Sequence, residues 1–152
     1  MNKWAVIGMS VIAFKISVKY AWAIDIRADI RAVKSQYPHL SYVPEGLVVA
    51  IAKVESNLDP SVTGADGEYG LMQIMPFTFD WLFTRYGLGV PVFPYLPFVN
   101  VLGGMLYLDT YYGIYKNWFD VIHVYNVGAG NYDNGVRNWD YFTKVLSWWG
   151  VA

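Results

Sequence analysis

From Ile26 to Gly150 the apolar residues recur at helical spacing, and proline and glycine cut that pattern into short segments. In "IDIRADIRAVKSQYP", Ile26, Ile30 and Val33 share one face, and the pattern stops at Tyr37-Pro38. The next helix opens on Pro44-Glu45 and closes at Asn57-Leu58-Asp59-Pro60. A polar, glycine-rich loop covers 61–70. Residues 71–87 predict a turn and then a helix, with Pro76 in its first turn and Gly87 just past its end. The stretch 88–98 holds three prolines and cannot be regular helix. Helical spacing resumes over 100–118 through Val101, Met105, Leu108 and Tyr112. A helix over 119–135 breaks at Gly128, and 138–150 forms a last amphipathic helix. Period-two alternation is scarce, so the expected class is mainly α in one domain, 24–152, with little β structure.

Apolar residues make up 55% of the chain and aromatics 18%, which suits either a bulky core or a groove that stacks on flat sugar rings. A net charge of −1 with no basic run speaks against a nucleic-acid partner. Without cysteine there is no disulfide, thiol nucleophile or cysteine–zinc site. His39 and His123, the only histidines, read as structural, and no metal or cofactor is expected. The first 23 residues differ from the rest. They carry Lys3, Lys15 and Lys19 and no acid, and Trp4 to Phe14 is apolar but too short to span a bilayer. Ala21-Trp22-Ala23 has the form of a signal-peptidase site, so residues 1–23 are expected to be a secretory signal cleaved after Ala23. The alternative is a retained helix that lies on a membrane or binds a partner.

Three patches carry chemistry. Glu55 stands four residues after Ile51 and seven after Val48, which puts a carboxylate on the apolar face of its own helix. The bland alternative is a solvated acid at a helix end. In "GLMQIMP", 70–76, Gly70 allows a close backbone approach, Met72 and Ile74 can serve as core, and Gln73 is an amide among apolar neighbours that must find partners. In "VYNVGAGNY", 124–132, Asn126 and Gly128 can form an ordinary helix end, but Tyr125 places a hydroxyl beside an amide.

In their order and spacing, Glu55-Ser56, the Gly-Leu-Met-Gln-Ile-Met-Pro run and Tyr-Asn-x-Gly resemble the catalytic domain of the soluble lytic transglycosylases, which are goose-lysozyme-like. The resemblance spans roughly residues 38–146 and includes "NVLGGMLYL", 100–108. It implies a lysozyme-like α-helical fold around a glycan cleft. Glu55 would be the single catalytic acid/base, with Ser56 a substrate or carboxylate contact. Gly70, Leu71, Met72 and Gln73 would line the cleft, Met72 through its backbone and Gln73 by touching sugar. Tyr125 would reach the catalytic carboxylate, and Asn126 and Gly128 would complete its motif. Two departures stand out: Val124 where the family usually has alanine, and the aromatic, proline-rich 91–98, where Tyr95 and Phe98 could stack on sugar or seal the core.

A carboxyl against an apolar wall has its charged form disfavoured, so the Glu55 pKa is expected above the ordinary glutamate value of about 4.3, as a general acid requires. The resemblance implies cleavage of the MurNAc–GlcNAc β-1,4 bond of peptidoglycan with closure of a 1,6-anhydro ring, the substrate's acetamido group replacing a second carboxylate. A hydrolase of the same fold would need Asp66 or Glu68 in that second role. A third reading is a wall-binding assembly component without turnover. The expected partner is the glycan strand, in an exported, periplasmic or envelope setting or on a virion. Local opening of the wall would suit secretion, conjugation or phage machinery, with a membrane engaged only through residues 1–23.

Overall fold

The computed structural model describes residues 25–91 and 93–150. The expected signal segment and its cleavage site lie outside them. Seven α-helices account for most of the described chain: α1 Ile26–Gln36, α2 Glu45–Ser56, α3 Pro76–Arg85, α4 Pro97–Tyr115, α5 Trp118–Val127, α6 Ala129–Asp133 and α7 Trp139–Trp149. A single 3-10 turn, Pro38–Leu40, joins α1 to α2. Among the described residues β pairing is limited to two isolated bridges, Thr63 with Tyr69 and Tyr69 with Ile74. The mainly α class is therefore observed.

Local chemistry sets the helix ends. The Asp25, Asn117 and Asn138 side chains each accept from a backbone N–H in the first turn of α1, α5 and α7. Pro76 and Pro97 stand in the first turns of α3 and α4, where a missing N–H costs nothing. Gly128 separates α5 from α6 at φ 77°, as the break in the pattern required.

The helix α4 departs from the one-sided face expected of it. Every residue from Asn100 to Leu108 is buried, so its first half is enclosed on all sides. Helices α1, α2, α3 and α5 all pack against it. Two glycines permit the closest approaches. A Cβ on Gly103 would lie 2.7 Å from the Phe79 ring of α3, and one on Gly104 would lie 2.5 Å from Met72 Cε. The two histidines pack among aromatic rings: His39 stacks on Tyr86, and His123 stacks on Phe142 at 4.5 Å with Trp139 edge-on. Helix α7 returns to cover α2, burying Tyr141 and Val145. That pairing places the last helix over the end of α2 where Glu55 stands.

Candidate active site

Glu55 lies in the last turn of α2, between the 61–75 loop and helix α7. Its carboxylate is largely withdrawn from water, and burial pushes its pKa up from 4.5 to about 7. The Tyr141 hydroxyl donates to Glu55 Oε1 at 2.6 Å and opposes that rise, while the negative charge of Glu68 adds to it. Near neutral pH the group is thus divided between its proton-donating and proton-accepting forms. The place of Glu55 on an apolar helix face foretold the raised pKa, whereas nothing in the sequence marked Tyr141 as its partner.

The motif tyrosine Tyr125 and the tyrosine of α7, Tyr141, play different parts. Tyr125 was expected to reach the catalytic carboxylate. Its hydroxyl instead donates to the Met72 carbonyl at 2.7 Å, and the hydroxyl on Glu55 comes from Tyr141. Tyr141 is buried and Tyr125 half-buried beside Glu55, and desolvation followed by the Glu55 charge holds both phenol pKa values well above the usual range. The exchange has a physical reason. Tyr125 projects from α5 toward the loop, whose Met72 carbonyl needs a donor, whereas α7 lies directly on α2. The only signal for Tyr141 was a tyrosine on the core-facing side of an amphipathic helix, which any core aromatic would give.

Ser56 is also reassigned. Its hydroxyl is buried and lies 3.1 Å from Ala52 O and 2.9 Å from Leu71 O, donating to these carbonyls rather than to a carboxylate. It fastens the loop to the end of α2. Asn100 holds the same loop from α4. Its Oδ1 accepts from Met72 N at 2.7 Å, and its Nδ2 donates to Tyr69 O and Pro94 O. Met72 is fully buried, its side chain against Gly104 and its backbone engaged by Asn100 at the N–H and by Tyr125 at the carbonyl. Gly70 adopts φ 61°, and a Cβ there would stand 3.0 Å from Asn100 Nδ2. This is the close approach expected of it.

Gln73 holds φ 45°, a left-handed conformation unusual for a residue with a side chain. Its amide nitrogen donates to Val62 O and Gly70 O, so it braces the loop from within. Its Oε1 and the Glu68 carboxylate converge on Gly64, where a Cβ would lie 2.6 Å from the first and 2.0 Å from the second. Asn126 is exposed and accepts from Asn138 Nδ2, which ties α5 to the start of α7. Tyr95 packs edge-on against Tyr69 and pairs with Thr63 through its hydroxyl, and Phe98 packs against the core. Val124 is buried, and its carbonyl accepts from Tyr107.

The transglycosylase SLT domain family model matches residues 35–144, which include Glu55, the loop, Tyr125 and Tyr141. The chain belongs to the transglycosylase SLT domain family. Its fold is similar to that of an inactive mutant of the lytic transglycosylase Slt from Pseudomonas aeruginosa, with a TM-score of 0.63 and 21% identity over 82% of this chain. It is similar also to the 70 kDa soluble lytic transglycosylase of Escherichia coli, with a TM-score of 0.58 and 23% identity over 91% of the chain. That enzyme's complex with bulgecin A gives 0.59 and 23% over 86%. The match takes up only 21%, 27% and 26% of those chains. No curated protein sequence matches the chain. Within the SLT domain described here, no helix is long and apolar enough to cross a membrane.

Proposed function

We propose that this SLT domain is a peptidoglycan lytic transglycosylase that cleaves the MurNAc–GlcNAc β-1,4 bond, with Glu55 as its sole acid/base. The observation that carries the reading is the Glu55 carboxyl at the end of α2, largely withdrawn from water and held by the Tyr141 hydroxyl at 2.6 Å, inside the matched family domain, where burial raises its pKa to about 7. Protonated Glu55 donates to the glycosidic oxygen as the C1–O bond breaks, a contribution of roughly 10²–10⁴-fold. The acetamido carbonyl of the substrate stabilises the anomeric carbon. The Glu55 carboxylate then takes the proton of the muramyl 6-hydroxyl, O6 bonds to C1, and no water is consumed. Tyr141 keeps the carboxyl in one orientation through both transfers.

The substrate is the glycan strand, and the setting is outside the cytoplasm, in the periplasm or envelope or on a virion. Secretion, conjugation or phage machinery would be the partner assembly. A hydrolase is the second reading, because the Glu68 charge acts on Glu55 from the neighbouring loop. Mass analysis of muropeptides released from purified sacculi separates the two. Products ending in 1,6-anhydro-MurNAc, one water lighter than the reducing sugar, are expected. Reducing ends as the main product would overturn the transglycosylase reading and leave the hydrolase.

A further inference from the structure

We infer that His123 is a positioning residue for the reaction: uncharged, it holds the start of α7 so that the Tyr141 hydroxyl meets Glu55, and a proton on its ring loosens that hold. The inference rests on the reading of Glu55 as the acid. Helix α5 grips the start of α7 at two points. At the surface, Asn126 Oδ1 accepts from Asn138, whose own Oδ1 accepts from Tyr141 N. One turn back on the same face of α5 stands His123. Its ring stacks on Phe142 at 4.5 Å, 7° from parallel, and meets Trp139 edge-on at 4.8 Å. Phe142 follows Tyr141 in α7, about 100° round the helix. One of these neighbours faces His123 and the other faces Glu55, so α7 cannot turn or lift at His123 without moving the hydroxyl on the acid.

Core packing alone does not account for a histidine at this place. The residue is only 4% exposed, and its Nδ1 has no hydrogen-bond partner among the described residues. Phenylalanine would fill the same aromatic enclosure without leaving a polar atom unpaired. The neutral ring tolerates the enclosure, because Nδ1 can remain an unprotonated lone pair. In the imidazolium both nitrogens carry hydrogens, and a buried Nδ1–H would face no acceptor. The charge nearby also opposes a proton. Arg137, in the link to α7, lies 3.5 Å from the centroid of the Tyr132 ring, which itself stacks on His123 from α6. Asp120 of α5 favours the proton. On α7, Asp140 and Lys144 are exposed and pair with one another at 2.6 Å, and from α4 the Tyr115 hydroxyl goes to Asp133. Burial and then Arg137 thus hold the His123 pKa below its ordinary 6.5, against Asp120. The sign follows. The unfolded chain takes up the proton first, so the native packing at His123 is intact above pH 6.5 and weakens as pH falls through the folded value.

The test compares lysis of purified sacculi at pH 5 and pH 7. The ratio of turnover at pH 5 to that at pH 7 should be roughly tenfold lower in the unaltered protein than in His123→Phe, which keeps an aromatic ring but takes no proton. Tenfold is the low end for loss of the Tyr141 bond. In a Tyr141→Phe background the two ratios should coincide, because the bond that His123 governs is gone, whereas a purely structural role would keep them apart. A second measurement needs no change at His123 and decides the matter if His123→Phe does not fold. In the Glu55→Gln protein with 13C-labelled histidine and tyrosine, the Tyr141 ring resonances should shift together with the titration of His123. Equal ratios, ratios that still differ in the Tyr141→Phe background, or Tyr141 resonances indifferent to His123 would each overturn the inference and leave Glu55 as the acid. Undiminished lysis by Glu55→Gln would instead overturn the proposed function, and with it the role of His123 in turnover.

Discussion

The two walls that meet at Glu55 are built by different means. The loop wall, residues 61–75, buries Leu71, Met72 and Ile74 and packs Tyr69 on Phe79 and Tyr95, but most of its backbone lies outside regular structure. It is held by side chains that reach for its backbone: Ser56 from α2, Asn100 from α4, Tyr125 from α5, and Gln73 from within. The helix wall is α7, which is held by packing. Tyr141 and Val145 are buried against α2, and the one polar bond it makes to the acid is that of the Tyr141 hydroxyl. Buried backbone groups in an irregular loop must all find partners, so such a wall needs particular residue types at particular places. A packed amphipathic helix needs only an apolar face of about the right volume. The first wall should therefore fail by losing its shape, and the second by misplacing or retuning the acid.

The largest effect belongs to the group both walls serve. Glu55→Gln keeps the acceptor for Tyr141 but cannot exchange a proton, so lysis of sacculi should fall at least a hundredfold, the low end of the general-acid range. The same change should stabilise the fold. The folded-state pKa of about 7 lies above the unfolded value near 4.5, so the native state holds the extra proton between these limits and native stability falls as pH rises through them. Removing the ionisable group should gain about 1–3 kcal/mol above pH 7 and nothing below pH 4.5, as read by denaturant titration at both ends. Equal stability of the two proteins at high pH would mean that Glu55 is not desolvated.

The two tyrosines test the contrast between the walls directly. Tyr141→Phe removes a hydrogen bond to the carboxylate, worth about 1.5–3 kcal/mol, or roughly ten- to a hundredfold in turnover if expressed in the transition state. Because that bond holds the Glu55 pKa down, its loss should move the basic limb of the pH–rate profile upward. Tyr125→Phe leaves the Met72 carbonyl without its donor and should cost about 1–3 kcal/mol of stability. Its pH–rate profile should stay where it was. If instead Tyr125→Phe moves the profile and Tyr141→Phe does not, the assignment of the two hydroxyls is wrong.

The same contrast explains what could be read from the residues alone. The loop wall was legible because Gly70, Gln73 and the tyrosine of Tyr-Asn-x-Gly are residue types that few other tasks require. The boundaries at Pro76, Gly87 and Gly128 were legible because those residues punctuate them, but α4 was not: it starts at Pro97, inside the proline-rich stretch expected to be irregular, because a proline fits a helix's first turn, and it ends at Tyr115, three residues early. What was missed concerns where side chains point across the fold. The glycine and amide types showed that the loop would make a close backbone approach and that Gln73 would need partners, but Ser56 was expected on a substrate or carboxylate, not on Leu71 O. Tyr141 sits in an ordinary apolar stripe, and its partner lies 86 residues away in the chain. The enclosure of α4 was missed for a similar reason, since Gly103 and Gly104 reveal their purpose only once Phe79 and Met72 are seen against them.

The smallest expected effect is at Glu68, on the loop wall. Glu68→Gln keeps an oxygen that can accept from Asp66 N, which the carboxylate now does at 3.1 Å, but it removes the charge. That charge is the lesser of the two causes that raise the Glu55 pKa, after burial. The basic limb of the pH–rate profile should therefore move downward, opposite to the shift from Tyr141→Phe, and turnover near neutral pH should change by only a few-fold. A carboxylate that took part as nucleophile or base would behave differently. Its loss would reduce lysis about as severely as Glu55→Gln, and the products would carry reducing ends. The profile and the products together decide whether Glu68 only tunes the acid or shares its chemistry. A small downward shift with anhydro products makes the loop wall a mould for the substrate and a mild electrostatic influence, and leaves proton transfer to Glu55 alone.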